Sequence, residues 1–475
     1  MIGWFYLQNQ TNMKTFFALV IGIFLLGCSQ KIQTQSNSSA KKMNVLFIPV
    51  DDLNHWIGYF GRNNQTKTPN LDRLSAMGMS FTNAYCAAPV CCPSRAALMS
   101  GLRPSTSGVY DNSDDWRTAI PKEITMTSFF RNNGYSVMGG GKIYHGGFDR
   151  DEEFDYYFKD GQNNPNRNVV KKGQFGGIKW AELDAEDDVL HDFHVANWAA
   201  KELEKKHEKP FFLAAGIFRP HMPWNVPKKY FDMFPLDKIE LPPFNKEDLK
   251  DLPDEGLKMA NPNQDHTKLA NETQWKEAIR AYLACIAYAD AQIGRILDAY
   301  EKSHERDNTM IVLWGDHGWH LGEKHHWRKF TLWEEATRSP LIWVVPNITK
   351  AGSKCSRTVD FMSIYPTLAE LNELQIPKHV EGNSILKLLK NPNADWKTPA
   401  LTTFKEGNHA IRSEKYRYIR YEKGGEELYD EVNDPYEWKN LISENKLATE
   451  KGKLSKYLPK INKKPVGNNG AKVSE

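Results

Sequence analysis

The stretch Met43-Asn44-Val45-Leu46-Phe47-Ile48-Pro49-Val50-Asp51-Asp52 decides the fold class. Residues 43–50 are apolar almost throughout, with no polar alternation. Such a run predicts a strand buried on both faces. Similar runs recur at 211–217, 309–314 and 341–345. Helical patterns lie between them. Residues 275–300 place Ile279, Tyr282, Ile286, Ala289, Ile293 and Leu297 at spacings of three and four, the mark of an amphipathic helix. Residues 360–374 repeat the pattern with Ile364, Leu368 and Leu371. Strands alternating with helices predict an α/β fold with a mostly parallel central sheet sandwiched by helices. Ligands of such sheets gather at the C-terminal ends of the strands.

The texture changes after about residue 390. Short strand-like pieces at 400–404, 409–413 and 416–421, then Gly424-Gly425 and 427–429, predict a small antiparallel sheet. A chain of 475 residues suits one large domain plus a smaller one. The expected division is an α/β domain over 43–390 and an α+β subdomain over 391–475, with a frayed Lys-, Gly- and Asn-rich end. A net charge of +3, with no long Lys/Arg block before the tail, lends no support to nucleic-acid binding. Fourteen tryptophans could offer sugar-stacking platforms, but packing in the core is the commoner use of this side chain.

Met13-Lys14 precedes the apolar run 16–27, which is too short to span a bilayer and has the length of a signal-peptide core. The run ends in Leu25-Leu26-Gly27-Cys28-Ser29, which resembles a bacterial lipobox with Cys28 as the acylated residue. Met13 is then the expected start, 1–28 the leader and 29–42 a polar flexible tether. The expected location is the bacterial periplasm or cell surface, at the outer membrane, held by lipid alone. Six cysteines are present. Cys86, Cys92, Cys285 and Cys355 could form bridges in an oxidising compartment, though Cys285 in a helical run reads rather as a small buried apolar residue.

Asp51 and Asp52 follow directly on the first strand. Adjacent carboxylates repel, so a buried pair needs a cation or must hold protons. Hard oxygen donors at a strand end suit Ca²⁺ or Mg²⁺. Asp316 and His317 follow the strand 309–314 in the same way, so two strands deliver candidate metal ligands to one sheet edge. Between them lies Cys91-Cys92-Pro93-Ser94-Arg95-Ala96-Ala97-Leu98-Met99-Ser100-Gly101. Pro93 fits a helix start, and the following residues continue the helix. Cys91 then sits at a helix N-terminus, where free N–H groups and the dipole favour an anion. Arg95 adds a positive fork. The vicinal cysteines, without a Cys-x-x-Cys partner, do not suit zinc.

Cys-x-Pro-Ser-Arg with Gly101 six residues beyond the arginine resembles the sulfatase signature, with Ser100 where threonine is commoner. The resemblance continues through Thr68-Pro69-Asn70-Leu71-Asp72-Arg73-Leu74, Gly141-Lys142-Ile143-Tyr144-His145-Gly146, the block 211–223 with His221, and Asp316-His317-Gly318 followed by Trp327-Arg328-Lys329-Phe330. It ends in Glu427-Leu428-Tyr429-Asp430, Asp434-Pro435 and Asn440-Leu441. The spacing of Lys142 and His145 and the Arg-Pro-His-Met-Pro block look most like the iduronate-2-sulfatase branch.

The resemblance implies an alkaline-phosphatase-like fold and a sulfuric ester hydrolase. It implies that Cys91 is converted to formylglycine (3-oxoalanine) by a formylglycine-generating or anaerobic maturation enzyme. Asp51, Asp52, Asp316 and His317 would bind one Ca²⁺ together with residue 91. Arg95 would stabilise the hydrated aldehyde, and Lys142 and Lys329 would hold sulfate oxygens. His145 would act as base on residue 91, and His221 would protonate the leaving alcohol beside the sulfate. His320, His325 and His326 are expected on the rim of the site, and Asn408-His409 could reach the cleft. The implied substrate is a sulfated carbohydrate, of ulvan or glycosaminoglycan type, attacked exolytically. A formylglycine-dependent phosphodiesterase or phosphonate monoester hydrolase of the same superfold is the enzymatic alternative. An inactive glycan-binding lipoprotein is the other.

Overall fold

The computed structural model describes residues 42–148, 150–159 and 169–467. The expected leader, Cys28 and nearly all of the tether lie outside the described residues. Eight strands build the central sheet: β1 (Asn44–Val50), β2 (Met79–Phe81), β3 (Ser136–Gly141), β4 (Tyr156–Phe158), β5 (Phe211–Gly216), β6 (Thr309–Gly315), β7 (Leu341–Val344) and β8 (Ser353–Cys355). Their order across the sheet is β8-β2-β7-β6-β1-β5-β3-β4. All neighbours run parallel except the two pairs made by β7, which is antiparallel to both β6 and β2. The sheet is therefore mixed but mostly parallel, as expected.

The unbroken apolar run of β1 has a plain cause. Leu46, Ile48 and Val50 enter one core, which they share with residues of α3 (His191–Glu204) and α4 (Glu272–Lys302). Val45 and Phe47 enter the other, shared with α2 (Cys91–Ser100) and α5 (Ile364–Leu371). α1 (Pro69–Met77) lies against α4 and the edge near β7. Every residue of the predicted stripe Ile279, Tyr282, Ile286, Ala289, Ile293 and Leu297 is buried. The second predicted helix is shorter than 360–374, because a 3₁₀ turn, Phe361–Ser363, precedes α5.

The C-terminal sheet comprises β9 (Ala400–Thr403), β10 (His409–Arg412), β11 (Tyr416–Arg420) and β12 (Glu426–Asp430), antiparallel in chain order. β9 docks on the segment leading into α2. Thr403 N–H donates to the Ala87 carbonyl (2.9 Å) and Thr402 Oγ1 to that of Cys86 (2.6 Å).

Two expectations need adjustment, and the core reading of the tryptophans holds. The five described cysteines are free and buried, so no bridge forms among them. His409 points into the C-terminal sheet rather than the cleft; its Nδ1 lies 3.0 Å from Thr403 Oγ1, and burial pulls its pKa down to about 4. Trp116, Trp224, Trp314, Trp319, Trp327, Trp333 and Trp343 are fully buried, which makes them core rather than sugar platforms.

A buried ionic cluster joins the C-terminal sheet to the segment 332–334. Arg417 pairs with Glu334, Glu431 (2.9 Å) and Glu437 (2.7 Å), and donates to the Leu332 carbonyl (2.9 Å). Removing one member of such a group strands the others without compensation. Arg417→Ala is expected to cost about 3–5 kcal/mol of stability, read as a lower urea midpoint; Lys415→Ala, at an exposed pair, is expected to leave the midpoint in place.

Candidate active site

The four adjacent parallel strands β6, β1, β5 and β3 end at one edge of the sheet, and each end carries a polar residue of the site. In the β1–β6 register Val50 faces Gly315, so Asp51 falls beside Asp316. Asp316 N–H donates to the Val50 carbonyl (3.1 Å), and Asp52 N–H to Asp316 Oδ1 (2.9 Å). Asp51 N–H donates to Ile217 O (3.0 Å), and Lys142 N–H to Gly216 O (3.2 Å). A side chain at Gly141, with φ of 75°, would place Cβ 2.0 Å from the Gly216 carbonyl. Glycine there lets the chain turn and carry Lys142 inward. Asp52 has φ of 55°, a left-handed conformation that aspartate tolerates better than most residues.

Cys91 is the first residue of α2, preceded by the extended Val90 with no side-chain cap. The next N–H of the helix, that of Cys92, donates to Asn112 Oδ1 (2.9 Å). Arg95, one turn on, lies on the same helix face. It donates through Nε to Asp316 Oδ2 (3.0 Å), through Nη2 to Asp51 Oδ1 (2.9 Å), and through Nη1 to the carbonyls of Lys142 (2.5 Å) and Ile143 (3.2 Å). Its fork joins the ends of β6, β1 and β3, which is a wider duty than the positive charge expected from the motif. Ser94 Oγ donates to Asp316 O (2.6 Å).

Lys329 Nζ lies 2.8 Å from Cys91 Sγ and 2.7 Å from Asp52 Oδ1. Lys142 Nζ pairs with Asp51 Oδ2. His317 Nδ1 lies 2.9 Å from the Gly318 carbonyl, and Nε2 lies 3.3 Å from both Cys91 Sγ and Asp52 Oδ1; burial opposes the charged ring, but Asp316 and Cys91 raise its pKa to about 9. His221 is oriented likewise: Nδ1 donates to Met222 O (2.6 Å) and Nε2 faces Asp52 Oδ2 at 3.7 Å. His145 is buried beside Cys91, and neither ring nitrogen makes a regular hydrogen bond within the protein. Burial holds its pKa below the usual value and keeps it neutral, the form a base requires. All ten residues singled out in the sequence therefore meet at one site.

The electrostatics follow from burial. Asp51, Asp52 and Asp316 are wholly inaccessible. Burial and the Cys91 sulfur push the Asp51 pKa up, but Lys142 and Arg95 pull it well below the ordinary range. Asp316 is raised, because burial outweighs the help of His317 and Arg95. Burial would raise the Cys91 thiol, yet Lys142, Lys329 and His317 hold it well below the ordinary range.

Two sets of potential ligand atoms converge within 4.8 Å: Asp51, Asp52, Cys91 and His221, and Asp52, Cys91, Asp316 and His317. Asp52 Oδ2 is buried without a hydrogen bond, and His317 Nε2 faces the second set. Carboxylate oxygens in this number are hard donors, and with Nδ1 turned to the Gly318 carbonyl it is His317 Nε2 that would offer a lone pair to a cation. The residues fit a divalent cation.

Two sets of residues were not evident in the sequence as site elements. Tyr282 Oη accepts from Asn54 N–H (3.0 Å) and donates to Asp52 O (2.8 Å), bracing the turn after β1; its place in a helical stripe marked it only as core. The histidines near Asp316 are not a rim. His320 and His326 are buried, with their ring nitrogens on Thr331 Oγ1, Glu323 O, Ala260 O and Lys329 O, and His325 Nε2 lies 3.0 Å from Asn245 O. Left-handed backbone at Lys324, His325, Arg328 and Phe330 folds this segment back on itself and turns two of the histidines inward.

This geometry agrees with the relationships of the chain. The sulfatase family model matches residues 43–373, and the model of the C-terminal part of N-sulphoglucosamine sulphohydrolase matches 322–464. A sulfatase of Formosa agariphila is 41% identical over 95% of this chain and 93% of its own length. Iduronate 2-sulfatase of Mus musculus is 30% identical over 76% of this chain and 74% of its own, and an ulvan-active sulfatase of Formosa agariphila is 29% identical over 94% and 86%. A structure solved in complex with its substrate D-glucosamine-2-N,6-O-disulfate superimposes with a TM-score of 0.70 at 22% identity, covering 88% of this chain and 96% of that one. The phosphonate monoester hydrolase of Agrobacterium radiobacter does so with 0.75 at 20% identity, covering 87% and 94%. The chain belongs to the sulfatase family. It is a sulfuric ester hydrolase with the alkaline-phosphatase-like fold, close to the iduronate-2-sulfatase branch.

A divalent cation that binds only the folded state stabilises it by about 2.7 kcal/mol at a hundredfold excess over Kd. Millimolar Ca²⁺ or Mg²⁺ is expected to raise Tm and a chelator to reverse the rise, while Asp316→Asn loses the shift and keeps the circular dichroism of the fold.

Proposed function

We propose that this enzyme removes sulfate from a sulfated polysaccharide or oligosaccharide, through formylglycine at position 91 and a bound Ca²⁺. The observation that carries the reading is the convergence on Cys91 Sγ of Lys329 at 2.8 Å and His317 at 3.3 Å, at a helix N-terminus beside Asp52. The sulfur stands where an oxygen of the modified residue would be. An aldehyde hydrate at 91 supplies one hydroxyl to attack sulfur and a second whose deprotonation releases sulfate. Asp51, Asp52, Asp316 and His317 would hold the Ca²⁺, which would supply positive charge against the anionic oxygens.

The side chains then divide the work. Lys142 and Lys329 hold sulfate oxygens and offset the charge that repels a nucleophile. Arg95 keeps the two metal-binding strand ends in register and lends positive charge near residue 91. His221 is partly open to solvent (16%), on the outer side of the acid pair, where a departing sugar oxygen would lie. With Nδ1 bound to a carbonyl, its Nε2 is the atom that delivers a proton. His145, neutral and buried, accepts the proton from residue 91. Ulvan or a glycosaminoglycan is the polymer type that the relatives' substrates support. Acylation of Cys28 and a periplasmic or surface location belong to the same proposal and rest on the run 16–27.

Peptide mass spectrometry of active enzyme is expected to show the thiol lost at 91 and kept at 92; full activity with an unmodified Cys91 would refute the reading. Aryl phosphodiesters assayed beside aryl sulfate test the phosphonate-hydrolase alternative, and faster turnover of the diester would favour it.

The two histidines are separable. His221→Ala is expected to slow sugar sulfates by roughly 10²–10⁴-fold, the usual reach of general acid catalysis. It should harm nitrophenyl sulfate much less, since nitrophenolate leaves unaided. His145→Ala is expected to give a burst of alcohol without matching sulfate on either substrate. Equal losses on both substrates for His221→Ala would contradict the assignment.

A further inference from the structure

His326 is only 3% exposed. Its Nδ1 lies 2.7 Å from the carbonyl of Ala260, the last residue of the helix Asp254–Ala260. Its Nε2 lies 2.6 Å from the carbonyl of Lys329. A carbonyl can only accept, and burial holds the His326 pKa below the ordinary value, so the neutral ring has one N–H to give to these two carbonyls. The neighbouring His320 has a different set. Its Nδ1 faces the Glu323 carbonyl and its Nε2 a hydroxyl, Thr331 Oγ1, which can donate. His320 is thus satisfied as an ordinary neutral ring held in the core, whereas His326 lies between two backbone acceptors and can donate to one of them.

The second acceptor belongs to the residue that reaches the nucleophile. Lys329 sits between Arg328, with φ of 84°, and Phe330, with φ of 73°. Two left-handed non-glycine residues flanking one side chain persist only where the surroundings hold them. Arg328 is held by Asp265 through Nε (2.7 Å) and Nη2 (3.2 Å), and Phe330 N–H by the Pro89 carbonyl (3.1 Å). The carbonyl of Lys329 itself is held by His326. From this turn the Lys329 side chain extends to Cys91 Sγ and Asp52 Oδ1.

We infer that His326 is a positioning residue for sulfate hydrolysis, which donates its ring N–H to the Lys329 carbonyl and so sets the reach of the Lys329 ammonium toward residue 91. The inference rests on the reading of Lys329 as a sulfate-binding group. A misplacement of about 1 Å at a reacting centre costs on the order of 10²-fold in rate, so a side chain remote from the substrate can matter at this scale. Glutamine also offers a donor nitrogen, and alanine none.

The test is a double-mutant cycle on matured enzyme, read as kcat/KM for nitrophenyl sulfate, with His326→Ala, Lys329→Ala and the pair. His326→Ala is expected to lose about 10²-fold, His326→Gln to recover part of the loss, and His326→Ala to add nothing once Lys329 is alanine. If His326→Ala fails to fold, His326→Gln in both backgrounds gives the same reading. Losses that multiply in the double variant, or a glutamine variant as impaired as alanine, would show that His326 merely packs, and would overturn the inference alone. An unchanged kcat/KM for Lys329→Ala would overturn the sulfate-binding reading and this inference with it.

Discussion

The structure depends on the burial of three carboxylates within one small volume. Asp51, Asp52 and Asp316 are all inaccessible to solvent, and an uncompensated buried charge costs several kcal/mol. Arg95, Lys142 and Lys329 answer them with equal and opposite formal charge. The balance is uneven in space. Asp51 receives two cations and stays ionised, whereas Asp316 shares one guanidinium with Asp51 and is driven toward its protonated form by burial. A site with balanced side-chain charge and one under-served carboxylate is suited to a further cation. With that cation it turns net positive, which is what an anionic sulfate ester requires.

The sheet and α2 supply this arrangement by different means. Parallel strands place their C-terminal ends side by side, so β1 and β6 bring their carboxylates together through register alone. The helix brings Cys91 and Arg95 on one face, four residues apart, with its N-terminus turned to the acids. Ser94 and Arg95 bind Asp316 while Arg95 also binds Asp51, so α2 is tied to both strand ends. The nucleophile position and the metal ligands are therefore one rigid unit. Neither can move without breaking buried charge-assisted hydrogen bonds.

How much of this is legible in the sequence depends on the range of the interaction. The apolar run of β1, the stripe on α4 and the helix start at Pro93 report local burial, and each is found within a few residues of its expected bounds. Resemblance to a family named the ten site residues, which no spacing rule would collect from positions as distant as 51 and 329. The antiparallel course of β7 was not legible, because a short apolar strand reads alike in both directions. The placing of His320, His325 and His326 failed for a related reason. Three histidines close to Asp316-His317 look like metal chemistry in one dimension, but left-handed turns at non-glycine residues leave no signature that composition could reveal. The wider duty of Arg95 was hidden because its partners include main-chain carbonyls of residues 142 and 143, which carry no sequence identity.

The C-terminal sheet contributes no side chain to the acid cluster, yet the segment that carries Lys329 is held between it and the α/β core. Arg417 on β11 donates to the Leu332 carbonyl and pairs with Glu334, and Trp333 Nε1 donates to Glu427 on β12 (2.8 Å). On the other side Glu335 pairs with His55 (2.9 Å) and Arg62 (2.7 Å), and His55 lies three residues beyond Asp52. Residues 332–335 thus bind the C-terminal sheet through one set of partners and the turn after β1 through the other. The strained loop that aims Lys329 is pinned just before this bridge, at Phe330 by Pro89 and at Lys329 by His326. Pro89 in turn follows Ala87, on which β9 docks. The small sheet therefore braces both the entry to α2 and the exit of the Lys329 loop. A buried network of glutamates and arginines is a costly way to stabilise a fold. As a way to fix two loops against a core in one relative position it is effective, because each charge has partners only in that arrangement.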